Sequence, residues 1–436
     1  MLIVIDDAPT GTQSVSDLPV LTRWTEDDLA WAAAESPAVY LQTNSRSLSE
    51  QDAFAIASDA AAAALRTFGH HAILISRSDS TLRGHFPAET DALIAASSAA
   101  GTAVDTVVLA PAFPQAGRVT VDGVHYLLDG GRRVPVATSE FASDATFGYR
   151  SSDLREWVVE KTRGRYSAAD VAVLDRDTSL DELRSPRYLV PVIVVDAETD
   201  DDLSRAASLL RAAQVSGRRF VYRVGPPFVR AMLGRPSPAP VDVSAPGLSV
   251  ADATAGGLIV VGSHVDVTAR QLAALRDRRP GLPVIELDVD SVASGSSEVV
   301  TATAAELRST LVSGDAILQT TRTLRREASP EDSLRLARLV SDAVSATVRQ
   351  SLDGLRPRFV IAKGGITSSD VAKHGLGVTR ATILGPVLPG IVALWRIETG
   401  PLAGTPYVVF PGNVGDSMAL DDVYERLSHM TSGEAR

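Results

Sequence analysis

Ile75-Ser76-Arg77-Ser78-Asp79-Ser80-Thr81-Leu82-Arg83-Gly84-His85-Phe86-Pro87-Ala88-Glu89 is the stretch on which the reading of this chain turns. The apolar run at residues 72–75 leads into it and reads as a buried strand. A carboxylate, three hydroxyls, two guanidinium groups and a glycine follow within eight residues. Pro87 and Glu89 suit the first turn of a helix over roughly residues 87–100. Strand, polar turn and helix in succession is how open α/β sheets place ligand sites, at the carboxyl ends of their strands.

The pattern recurs on either side. Residues 2–5 form a strand that runs into Asp6-Asp7-Ala8-Pro9-Thr10-Gly11. Residues 39–42 form the next and end in Thr43-Asn44-Ser45-Arg46. Ser47 with Glu50 reads as a capping box for an alanine-rich helix that stops at Gly69. Residues 106–110 are a fourth strand, followed by a loop, Pro111 to Thr120, that carries Gly117 and Arg118. In a mostly parallel sheet these ends share one edge. Arginines with carboxylates there suit a small polyhydroxy acid. Arg46, Arg83 and Arg118 are candidates to grip its carboxylate, and Thr10, Gly11, Ser78, Ser80 and Thr81 to take its hydroxyls.

Further strands are expected at residues 171–174, 191–195 and 220–224, with a helix at 201–215. The composition then shifts. Gly225-Pro226-Pro227, Ser237-Pro238-Ala239-Pro240 and Ser244-Ala245-Pro246-Gly247 read as an interdomain connection. A second α/β pattern starts at residues 258–261. Three of its strands end in small-residue loops: Gly262-Ser263, Lys363-Gly364-Gly365-Ile366-Thr367 and Gly412-Asn413-Val414-Gly415. Glycines let backbone N–H groups approach a phosphate chain. Neither a P-loop nor a dinucleotide turn is present, so a nucleotide site here is of another type. The expected architecture is two α/β domains with largely parallel sheets and a ligand cleft between them. Its boundaries are 1–236 for the N-terminal domain, 237–256 for the connection and 257–436 for the C-terminal domain.

Bulk properties narrow the function. The 436 residues are 45% hydrophobic and 22% charged, as in a globular protein with large cores. A net charge of −11 sets the chain against nucleic acid or an anionic membrane as partner, while local arginines still allow a small anionic ligand. With no cysteine, disulfides and thiolate metal sites are excluded. The seven histidines show no metal-ligand spacing and read as surface or loop residues. Of the 42 basic residues only Lys161, Lys363 and Lys373 are lysines, which looks like genomic base composition. Residues 1–5 are too short for a signal segment, and no apolar run approaches the ~20 residues that span a bilayer. A cytoplasmic protein is expected, and a homodimer is compatible with it.

Together these motifs resemble the four-carbon acid sugar kinase family, two-domain enzymes that phosphorylate tetronates and oxo-tetronates. The run Ser78-Asp79-Ser80-Thr81-Leu82-Arg83-Gly84 carries the resemblance most specifically. Pro111-Ala112-Phe113-Pro114 with Gly117-Arg118 and Asp122-Gly123 carries it next, and the three glycine loops resemble the family's ATP-binding segments. One position departs: the family has adjacent acids immediately before an x-Thr-Gly turn, whereas Ala8 stands in the place of the acid nearest the turn. The resemblance implies that the N-terminal domain is sugar-acid-binding and the C-terminal domain nucleotide-binding. It implies ATP-dependent phosphorylation of a sugar-acid hydroxyl, with ATP as donor and Mg2+ beside it. Asp7 is assigned as the base, Asp79 as the second candidate, and Lys363 to phosphate charge or to the surface. The rival reading is a non-catalytic sugar-acid or nucleotide sensor derived from the same family, which the change at Ala8 supports. A nucleotide-cofactor oxidoreductase is set aside by the missing dinucleotide turn.

Overall fold

Strands buried on both faces must be apolar nearly throughout, and the N-terminal unit, Met1–Ser237, is built on eight of them. The computed structural model describes residues 1–243, 248, 252–322 and 330–430. In chain order the strands of this unit are β1 (Leu2–Asp6), β2 (Leu18–Leu21), β3 (Ala38–Gln42), β4 (Ile73–Arg77), β5 (Thr106–Ala110), β6 (Arg118–Val121), β7 (Val124–Asp129), β8 (Arg132–Pro135), β9 (Val171–Leu174), β10 (Val192–Val195) and β11 (Phe220–Val224). Eight of them pair in the order β2-β3-β1-β4-β11-β5-β10-β9, all parallel. Every residue of β1, β3, β5 and β11 is buried. The chain leaves β1 toward β3 on one side and returns to β4 on the other. The crevice at the ends of β1 and β4 is therefore a topological switch point.

Helices cover the sheet through small side chains. Helix Glu50–Phe68 buries Ala53, Ala57, Ala60, Ala61 and Ala64, which lets it lie close to helix Ala88–Ala99 and the strands. On the other face Leu82 and Phe86 of the opening stretch join a core with Leu154, Trp157 and Val158. The Phe86 and Trp157 rings stack at 4.9 Å. The turn after β4 is thus anchored by apolar contacts at two points while its polar residues face the crevice.

The second unit, Pro238–Arg436, holds β12 (Leu258–Val261), β13 (Val284–Leu287), β14 (Ala316–Thr320), β15 (Val360–Lys363), β16 (Arg380–Leu388), β17 (Val392–Ile397) and β18 (Pro406–Phe410). Their order is β13-β14-β12-β15-β18-β17-β16, parallel as far as β18 and antiparallel beyond it. Here the switch point lies between β12 and β15, the strands that end in Gly262 and Gly364. No helix among the described residues is long and apolar enough to cross a membrane.

Several expectations are corrected. The helix after β3 is capped by Ser49, whose hydroxyl accepts from the Asp52 N–H at 3.2 Å, so Ser47 and Glu50 do not form the cap. Gly225-Pro226-Pro227 is no linker but the start of helix Pro226–Leu233, with proline in its first turn, where a missing N–H costs nothing. A side chain on Gly225 would meet the Pro111 carbonyl oxygen at 2.7 Å. Arg118 opens β6 rather than sitting in a loop, and β6, β7 and β8 form a separate antiparallel sheet. His85 and His125 are buried. The Ser244-Ala245-Pro246-Gly247 part of the expected connection lies outside the described residues. Strand β2, helix Glu26–Glu35 and the β16–β17 hairpin were not anticipated.

The cap assignment is testable: Ser49→Ala should cost about 1 kcal/mol of stability in urea unfolding, the usual loss for an N-cap hydroxyl, and Ser47→Ala should cost distinctly less.

Candidate functional site

Strand register builds the N-terminal crevice. Asp6 ends β1 with Gln42 opposite it on β3 and Arg77 opposite it on β4. Both neighbours donate to its carboxylate, Gln42 Nε2 at 2.7 Å and Arg77 through Nε. Burial pushes the Asp6 carboxyl up to about 7, against the pull of Arg77. Arg77 also reaches Asp7 Oδ1 at 3.1 Å and the Ala8 carbonyl. A side chain on Gly11 would overlap the Arg77 guanidinium, so the turn carrying Thr10 needs glycine there.

One residue on, Asp7 is gripped by Arg46. Nη2 donates to Oδ1 at 2.7 Å and to Oδ2 at 2.9 Å, and Nε to Oδ2 at 3.1 Å. Gly84, at φ +114°, passes directly over this pair; a Cβ there would lie 3.3 Å from Asp7 Oδ2 and 3.1 Å from Arg223 Nη2. Arg223, on β11, donates to Glu89 Oε2 at 3.1 Å, and Ser45 donates to Glu89 Oε1 at 2.5 Å. Burial raises the Glu89 carboxyl, and the Arg223 charge opposes this.

The opening stretch is held from behind. The Ser80 carbonyl is bonded to His125 Nε2 at 2.8 Å, and the Tyr149 hydroxyl donates to the Thr81 carbonyl at 2.8 Å. Burial lowers His125 to about 4, which keeps the ring neutral. The Ser78 N–H donates to the Val224 carbonyl at 2.9 Å. Asp79 accepts from Arg83 Nε at 2.6 Å and from the Thr81 hydroxyl. Burial alone would raise the Asp79 carboxyl, but Arg83, Arg46 and the Thr81 hydroxyl hold it well below the usual range.

Five guanidinium groups thus gather at one sheet edge. Arg77, Arg46, Arg83 and Arg223 are ion-paired with Asp6, Asp7, Asp79 and Glu89. Arg118 is different. Its Nη1 donates to the Ala116 carbonyl, its Nε is buried without a hydrogen-bond partner, and among the described residues no carboxylate lies within ion-pair distance of it. The sequence reading named Arg46, Arg83 and Arg118 but gave no role to Arg77, Glu89, Gln42, Ser45 or Arg223. The ends of β1, β3 and β4 could have pointed to Gln42 and Arg77.

The C-terminal crevice is made of backbone. Gly262 and Gly364 directly follow β12 and β15, Gly412 lies two residues past β18, and the loops of these three adjacent strands meet. A Cβ on Gly412 would lie 2.7 Å from Ser263 Oγ, and one on Gly364 would lie 2.9 Å from Thr367 Oγ1. Thr268 donates to the Gly412 carbonyl at 2.9 Å, and Gln271 Nε2 to the Val414 and Asp416 carbonyls at 2.9 and 2.7 Å. Ile366, Asn413 and Gly415 are exposed on the rim, with Gly365, Thr367 and Val414 half-buried. Arg322, unanticipated, donates to the Ser263 carbonyl at 2.7 Å. Lys363 is not on the surface: it is fully buried, with Nζ donating to the Pro411 carbonyl at 2.7 Å.

The glycines let these loops pack closely, and the Ser263 and Thr367 hydroxyls against them are donors of a kind that suits a phosphate chain. Among the described residues no cluster of three or more His, Asp or Glu side chains is placed to hold a metal ion.

Fold and crevices together define a two-domain α/β protein with a polar, arginine-rich N-terminal site and a glycine-lined C-terminal one. Residues 2–232 match the family of sugar-binding N-terminal domains, and residues 258–420 that of nucleotide-binding C-terminal domains. A D-threonate kinase of Bordetella bronchiseptica is 29% identical over 403 residues, covering 89% of this chain and 86% of that protein. A D-erythronate kinase of Heliobacterium modesticaldum is 28% identical over 242 residues, covering 55% and 50%. A solved structure from Salmonella typhimurium LT2 aligns over 98% of both chains at TM-score 0.69 and 21% identity, which shows a shared fold. One from Haemophilus influenzae aligns at TM-score 0.62 and 16% identity over 99% of this chain and 100% of that one. The chain belongs to the four-carbon acid sugar kinase family.

The Glu89–Arg223 pair is nearly inaccessible, at 3% and 4% side-chain exposure. Removing one partner strands the other charge. Arg223→Met should therefore destabilise by about 3–5 kcal/mol, and adding Glu89→Gln should recover most of that loss in a double-mutant cycle read by urea unfolding.

Proposed function

We propose that this protein transfers a phosphoryl group from ATP to a hydroxyl of a small four-carbon sugar acid, a tetronate or oxo-tetronate. One observation carries the reading of the acceptor. At an edge where four guanidinium groups are neutralised by carboxylates, Arg118 lacks a counter-ion. A ligand that brings its own carboxylate completes that charge balance, and Ser78, Ser80 and Thr81 supply donors and acceptors for its hydroxyls. The kinase names of the two curated relatives support the same reading. The glycine cradle at β12, β15 and β18 supports a nucleotide donor in the C-terminal unit.

Phosphoryl transfer needs positioning and charge more than covalent chemistry. In this reading Arg46 and Arg77 fix the Asp7 carboxylate, which takes the proton of the acceptor hydroxyl. Asp79, held ionised by Arg83, orients the sugar acid and is the second candidate for the base. Backbone N–H groups of the Gly364 and Gly412 loops hold the phosphate chain, with Ser263 and Thr367 beside them; ATP supplies the transferred group and Mg2+ the added positive charge. A sensor without turnover is the second reading. It is favoured by the buried methyl of Ala8, which stands where the family carries an acid.

Measuring ATP consumption against a panel of four-carbon acids and matching neutral polyols separates the two, since a sensor binds acids without turnover. In that assay Arg118→Ala should lower kcat/KM for threonate by about one to two orders of magnitude, the worth of a charge-assisted contact of roughly 1.5–3 kcal/mol. Neutral threitol should be little affected, and equal losses for both would remove Arg118 from the carboxylate contact.

Asn can still hydrogen-bond a hydroxyl but cannot take its proton. Asp7→Asn should lower kcat by about 10²–10⁴ with KM little changed. A larger kcat loss in Asp79→Asn, with Asp7→Asn near wild type, would move the base to Asp79.

A further inference from the structure

Lys363 is an amine placed where an amine should not be left alone. It closes β15 with Val261 and Phe410 as its sheet neighbours. Its Nζ sits 3.8 Å from the centroid of the Phe410 ring and donates to the Pro411 carbonyl at 2.7 Å. The side chain is fully buried, and among the described residues no carboxylate pairs with it. The surrounding elements do carry ionisable groups: His264 before helix Asp266–Arg278, Asp266 and Arg270 on it, Asp416 after β18, and Asp421 at the start of helix Ala419–Ser428. Asp421 is occupied by Arg278 and Arg279. None of them offsets the burial of Lys363, which alone lowers the amine to about 7. Immediately past Lys363 come Gly364 and Gly365, the floor of the glycine cradle.

A buried ammonium without a counter-charge sheds its proton, and the same ammonium beside a phosphate keeps it. We propose that binding of a nucleotide's phosphates to the glycine cradle is coupled to uptake of a proton by Lys363, so that the amine is neutral in the free protein above neutral pH and an ammonium in the complex. The inference rests on the nucleotide reading of the C-terminal unit and adds to it a linkage between pH and affinity. The sign follows directly. The group's pKa is raised on binding, so affinity is greatest where Lys363 is already protonated and weakens as pH rises through the free-state value. Lysine can do this and arginine cannot, because a guanidinium stays charged throughout.

The test is isothermal titration of the full chain with Mg·ADP at about pH 8, in buffers of small and large ionisation enthalpy, with equilibrium dialysis to score binding independently of heat. At that pH the nucleotide phosphates are already ionised, so they contribute little proton exchange. Wild type should take up close to one proton per nucleotide, seen as a slope of enthalpy against buffer ionisation enthalpy. That slope should vanish in Lys363→Arg and in Lys363→Met, while dialysis still detects nucleotide. Nucleotide binding without a buffer-dependent enthalpy in wild type overturns the inference and leaves the nucleotide site standing. An unchanged slope in Lys363→Met overturns the assignment to Lys363. Absence of Mg·ADP binding by both methods overturns the nucleotide site and the inference together.

Discussion

Charge out of water must be answered by charge, and the N-terminal half of this protein is arranged around that requirement. Asp6, Asp7, Asp79 and Glu89 arrive at one sheet edge from the end of β1, the turn after β4 and a helix start, and four arginines meet them. The desolvation penalty of a lone buried ion is several kcal/mol. Each pair therefore constrains the backbone that carries it: Arg77 ties β4 to β1, Arg46 ties the β3 turn to β1, and Arg223 ties β11 to helix Ala88–Ala99. Gly84 and Gly11 follow from the same requirement, because a side chain at either would intrude on the paired groups. The pairs are cross-linked, since Arg77 also reaches Asp7, and among the described residues Arg118 forms no ion pair beside them.

The C-terminal half treats anions by another route. Among the described residues its edge has no comparable ladder of ion pairs; glycine loops meet there, and their carbonyls are tied down by Thr268, Gln271 and Arg322. Fixed dipoles are present whether or not a ligand is bound, and they need no counter-ion. Lys363 lies buried beside these loops. The two units thus offer contrasting surroundings at their switch points, paired charges in one and glycine loops in the other.

Much of this was legible because parallel strands put their ends on one edge, so loops distant in sequence could be compared as neighbours. The polar turn after β4 and the three glycine loops were found on that basis. What escaped detection depended on long-range partnership. Glu89 looked like an ordinary helix first-turn acid, and its partner Arg223 lies 134 residues away inside an apolar strand pattern. Arg118 was read as a loop residue because Gly117 and the prolines before it masked the start of β6. Ser47 was chosen as a cap by spacing alone, whereas the backbone enters the helix two residues later. The histidines were assigned outward by habit of composition, but His85 and His125 are buried and hydrogen-bond backbone carbonyls that hold the crevice turns.

Three of the 42 basic residues in this chain are lysines and the rest are arginines. On a solvated face either residue serves. Beneath the Gly364 loop they are not interchangeable: a permanently charged, bulkier fork would have to fit against the Phe410 ring with no anion in the resting protein. The full burial of Lys363 also shields its amine from acylating reagents in the folded protein, whereas the exposed Lys373 is open to them.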